Sequence, residues 1–152
     1  METLHSLNPD TVKSLQELIE INIDSAEGFT TAAEKIESKE IAQYFQRCAS
    51  QRSKFASELK SVVNDNGESP EDDGSVLGTM HRWWLELRGT VQGGDEHAVL
   101  CEAERGEDAI KERYEQALEQ TAGSPINAVL LSQYRAVKDA HDRIRAMRDA
   151  RA

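Results

Sequence analysis

Apolar residues recur along this chain at intervals of three and four, the spacing that places side chains on one face of an α-helix at about 100° per residue. The first such stripe is Leu15, Leu18, Ile19, Asn22, Ala26, Phe29, Ala33 and Ile36, and the second is Ile41, Tyr44, Phe45, Cys48, Arg52, Phe55, Leu59, Val62 and Val63. A third runs through Ala103, Glu107, Ile110, Tyr114, Ala117 and Thr121 with Leu100 and Leu118 at its edge; the fourth holds Ile126, Leu130, Gln133, Val137, Ala140, Ile144 and Met147. No period-two strand pattern flanked by turn signals competes. The spacing predicts an all-α protein of four long helices.

The punctuation between stripes agrees. Asn8 can cap the first helix, with Pro9 at its first position and Asp10 at the positive end of the dipole. Ser38 can cap the second. Asn64 to Gly74 reads as a loop, in which Asn66-Gly67 is a stop signal and Pro70 a breaker. Ser75 then caps a short amphipathic segment, Val76 to Arg88, that ends before Gly93-Gly94. Loop and segment together are long enough to carry the chain from one end of a bundle to the other, which makes the segment a candidate crossover helix. Asp95 is expected to open the third helix, Gly123 to close it, and Ser124-Pro125 to start the fourth as a cap and first-turn proline.

Each stripe is interrupted by polar residues near its middle: Asn22 in the first, Arg52 in the second, Glu107 with Tyr114 in the third, and Gln133 in the fourth. Ionised carboxylates are rarely buried without a cation, a metal or a set of donors. The chemical question posed by the sequence is therefore what Glu107 meets in the core.

Composition bounds the answer. A chain of 152 residues has material for one core, so residues 1–152 are expected to form a single domain. The formal charge of −10 disfavours nonspecific binding to nucleic acid or to an anionic membrane, because phosphate contacts need a basic surface. No apolar run of spanning length and no signal-peptide pattern at Met1 to His5 is present, so a cytoplasmic protein is expected. Two cysteines do not define a disulfide framework or a zinc site; Cys48 lies on a buried stripe and Cys101 off its own. Residues 95–120 carry nine acidic and three basic side chains and residues 135–151 six basic and three acidic, which predicts complementary faces on two antiparallel neighbours.

Four helices with a long connection after the second resemble the ferritin-like bundles, whose metal ligands are a Glu on each of two helices and Glu-x-x-His on each of the other two. On that template Glu107, with Tyr114 seven residues on, takes the place of the third-helix carboxylate. Asn22 stands where the first-helix ligand belongs, and Arg52-x-x-Phe55 where the second-helix Glu-x-x-His belongs. The fourth helix offers Val137-x-x-Ala140 or Lys138-x-x-His141, neither of which matches. Nearly the whole chain is more closely similar to an uncharacterised bacterial family of ferritin-like bundles catalogued as a domain of unknown function. The similarity lies in Leu18 to Phe29, Ala32 to Glu34, Arg52 to Leu59, Gly74-Ser75, His81-Arg82-x-Trp84, Glu102 to Asp108 with Tyr114, Gln133 and His141-Asp142. That resemblance implies the fold and a bacterial source, and no activity.

Three functional readings follow. In the first, a non-catalytic and metal-free bundle, Arg52 neutralises Glu107 while Asn22, Gln133 and Tyr114 complete the hydrogen bonds. In the second, Glu104, Glu107 and His141, with Glu27 or Glu58 as further donors, hold iron or manganese for oxidation or storage, since those ions accept mixed carboxylate and imidazole shells. In the third, His81, Arg82, Trp83 and Trp84 form a contact for a homodimer or another protein, with a role in stress adaptation; the alternative is that both rings roof the core. No nucleophile motif or phosphate-binding loop is present, so the sequence favours a protein that is not an enzyme.

Overall fold

A computed structural model describes residues 2–71 and 96–151. Among them are four α-helices and no strand: α1 (Pro9–Lys35), α2 (Lys39–Asp65), α3 (Glu96–Gln120) and α4 (Asn127–Asp149). The expected crossover helix, together with His81, Arg82, Trp83 and Trp84, lies outside the described residues. None of the described helices is long and apolar enough to cross a membrane.

Local chemistry sets the helix ends. The Asn8 side chain accepts a hydrogen bond from the Thr11 amide at 2.9 Å, and Ser38 Oγ accepts one from the Ile41 amide at 3.3 Å, each satisfying a donor that the first turn leaves without a partner. α2 stops where Gly67 turns left-handed at φ +78°, letting the amides of Asn66 and Glu68 reach back to the Val63 carbonyl. The Asn66 side chain then ties down the start of the chain: Oδ1 accepts from the Leu7 amide at 2.8 Å, and Nδ2 donates to the Leu4 carbonyl at 2.9 Å.

The last helix begins later than its sequence suggests. Ser124 and Pro125 form a turn in which the Ser124 carbonyl accepts from the Asn127 amide, and α4 starts at Asn127 without a side-chain cap. Ile126, fully buried, is anchored in the core at this corner. The Asn127 side chain instead donates to the Leu118 carbonyl at 3.0 Å, so it satisfies the end of α3 rather than the start of its own helix.

Pairings between helices define the topology. Phe29 packs on Phe45 near the α1–α2 turn, with ring centroids 5.6 Å apart, while Leu7 meets Asn66 at the opposite end, so α1 and α2 are antiparallel. Ser14 bonds Gln120 and Asn22 bonds Tyr114, so α1 and α3 are antiparallel as well. Tyr134 bonds Glu115 and His141 bonds Asp108, which sets α4 antiparallel to α3. The helices consequently run up, down, down, up. α2 ends beside Leu7, whereas α3 starts where Glu96 accepts a hydrogen bond from the Ser38 amide at 3.0 Å, at the other end of the bundle. The connection between them joins opposite ends of helices about 40 Å long.

The core is filled by Leu15, Leu18, Ile19, Phe29, Phe45, Leu59, Leu100 and Tyr114, all fully buried. Several stripe assignments change: Ser25 and Ala32 are fully buried where the neighbouring Ala26 and Ala33 are only partly so, Tyr44, Val62 and Met147 are partly buried, and His141, outside the fourth stripe, is buried.

Candidate functional site

On α1, Asn22, Ser25 and Phe29 follow at intervals of three and four, and all face inward. Arg52 enters from the middle of α2, Glu107 and Tyr114 from two levels of α3 separated by about 10 Å, and Gln133 from α4. These residues form two networks rather than the single cluster expected from the sequence.

The first is an ion pair across the centre of the bundle. Arg52 Nη1 donates to Glu107 Oε1 at 2.5 Å and Nη2 to Oε2 at 2.9 Å, the bidentate geometry in which guanidinium and carboxylate fit best. Nη1 also donates to Ser25 Oγ at 3.0 Å, and the guanidinium carbon stands 5.3 Å from the centre of the Phe29 ring. The two side chains are 0% and 1% exposed. Burial alone works against a charged guanidinium, but the Glu107 carboxylate outweighs it and holds Arg52 above its ordinary range. Arg52 Nε, also buried, has no hydrogen-bond partner.

The second network is a relay that touches all four helices. Asn22 Nδ2 donates to the Tyr114 hydroxyl at 2.8 Å, that hydroxyl donates to Gln133 Oε1 at 2.8 Å, and Gln133 Nε2 donates to Glu58 at 3.1 Å. Every donor points the same way, towards the Glu58 carboxylate at the surface, an arrangement in which each bond polarises the next. Burial pushes the Tyr114 hydroxyl well above the usual tyrosine range, so it remains a donor.

The metal set expected from the sequence is not brought together as a set. Glu107 faces the core and Arg52, whereas Glu104 and His141 meet at the seam between α3 and α4, where Asp108 takes the third place. Glu104 is ion-paired with Arg148. Glu27 is exposed, and Glu58 ends the relay. The sequence assigns no site role to Ser25, Asp108, Asp142 or Arg148, although Asp108 and Asp142 lie in the stretches that carry the family resemblance. Ser25 lies three residues from Asn22 on the same face, which was the available signal.

A ferritin-type metal centre does not fit the residues around Glu107. A guanidinium already occupies both of its oxygens, and at about 4 Å with an effective dielectric of about 20 it repels a doubly charged ion by about 8 kcal/mol. The Cys48 thiol lies one turn before Arg52 on α2, and burial pushes it up to about 11.

Fold and site together define, among the described residues, four helices packed around a buried polar centre. The chain belongs to the family described as a domain of unknown function, DUF2383, whose model matches residues 10–120. The matched stretch contains Asn22, Ser25, Arg52, Glu107 and Tyr114, while Gln133 and His141 follow it. No curated protein matches the chain.

Proposed function

We propose that this protein is a non-catalytic, ferritin-like bundle in which an internal ion pair takes the place of a central metal. One observation carries the reading: Arg52 caps both oxygens of Glu107 while both side chains are buried. The up, down, down, up order with an end-to-end connection supports the ferritin-like assignment. A protein built this way acts through its surface and its rigidity rather than through bond-making chemistry at its centre. A cytoplasmic location and a bacterial source belong to the same proposal.

Calorimetric unfolding of the whole chain tests it, in wild type and in the Arg52→Met and Arg52→Met/Glu107→Leu variants. The reading expects the single variant to be strongly destabilised and the double variant to recover. A wild-type centre that requires ferrous or manganous ion for stability, with the requirement lost in Glu107→Gln, overturns it.

A further inference from the structure

Away from the central ion pair, Glu104 and Asp108 stand one turn apart on α3 and face His141 of α4. One ligand atom from each lies within 4.8 Å of those of the other two. From this geometry we infer a binding site for one divalent first-row transition ion at the α3–α4 seam, with His141 Nε2 and the carboxylates of Glu104 and Asp108 as its protein ligands.

Ring orientation distinguishes this group from a chance gathering of surface acids. His141 is buried, its side chain 9% exposed, and its Nδ1 is 3.2 Å from Asp142 Oδ1. That contact fixes the ring with Nε2 turned towards Asp108, 2.5 Å away. A carboxylate on one ring nitrogen is the usual outer partner that orients a metal-binding imidazole through the other. Glu104 is nearly as buried, at 11%, whereas Asp108 is 63% exposed and free to swing. An ion entering here takes the place of the direct contact between Nε2 and Asp108. Opening that short contact requires only a rotation of the exposed aspartate.

One nitrogen and two carboxylate groups suit zinc, manganese, iron or cobalt rather than calcium or magnesium, which take all-oxygen shells. No ligand comes from α1 or α2, so the site is separate from the bundle centre. Arg148, paired with Glu104, sets its strength. Unlike the fully buried Arg52, Arg148 is 28% exposed, so its guanidinium can turn into solvent as an ion enters; it competes for one carboxylate only weakly, and its removal exposes a stronger site.

Titration of the full chain with zinc, by calorimetry, and with cobalt, by its visible absorption, tests the assignment after chelator treatment and dialysis. The expected result is one equivalent bound, with affinity at least tenfold lower in Asp108→Asn and in His141→Gln, and about tenfold higher in Arg148→Met. Asp108→Asn alters an exposed side chain, so its fold is retained and its loss of binding is read directly; circular dichroism checks the His141 variant. Absence of a stoichiometric site, or binding unchanged in Asp108→Asn, overturns the inference. Neither result touches the Arg52–Glu107 reading, which is tested by stability alone.

Discussion

Replacing Arg52 with methionine removes a charge while keeping much of the volume, and takes from the buried Glu107 carboxylate the cation that caps both of its oxygens. Breaking a buried pair by deleting one partner costs roughly 3–5 kcal/mol, because the remaining charge keeps its desolvation penalty and loses its compensation. For a domain of this size about 2–4 °C of melting temperature is lost per kcal/mol, so the expected drop is roughly 6–20 °C. Replacing both members, as Arg52→Met/Glu107→Leu, removes the penalty altogether. Buried pairs exchanged for apolar residues of similar volume are often neutral or more stable by about 1–4 kcal/mol. The partnerless Arg52 Nε favours that outcome here, since a buried donor without a partner costs about 1–3 kcal/mol. Urea unfolding followed by circular dichroism measures both variants at constant slope. A loss below about 1 kcal/mol in Arg52→Met, or a double variant as unstable as the single one, refutes the reasoning.

Further expectations concern the relay, the turn and the thiols. Tyr114→Phe deletes the hydroxyl between Asn22 and Gln133, leaves both amides short of a partner, and should destabilise the protein by about 1–3 kcal/mol in the same urea assay. Gly67→Ala meets no steric obstacle but must hold φ +78°, so a loss of about 1–2 kcal/mol in thermal unfolding is expected from backbone conformation alone. With its thiol raised to about 11, Cys48 at pH 8 is roughly one part in a thousand thiolate. An aromatic disulfide reagent should therefore label one thiol, Cys101, in the native protein and two in urea; equal labelling rates would contradict the burial of Cys48.

The stripes made the helices and the inward position of Arg52, Glu107, Tyr114, Asn22 and Gln133 legible, because burial follows helical period. Depth along the bundle was less legible. Glu107 and Tyr114 share a face yet lie two turns apart, and which level of α1 or α2 meets each depends on long-range register. Ser25 is hard to place from sequence because Ala26, equally compatible with the period, is the more apolar of the two. At the α3–α4 seam Glu104 and His141 were legible as candidate ligands, whereas the places of Asp108, Asp142 and Arg148 were hidden for the opposite reason. Charged residues at a helix border look solvated until the neighbouring helix is in place. At the α3–α4 corner, the signal of Ser124 and Pro125 was overridden by the burial of Ile126 and by Asn127 closing the preceding helix.

Anomalous diffraction from crystals grown with manganous ion tests the central claim most directly. The account predicts guanidinium density on both Glu107 oxygens and no anomalous peak within bonding distance of them, whether or not the α3–α4 seam is occupied. A manganese peak bonded to Glu107, with Arg52 displaced, would contradict it.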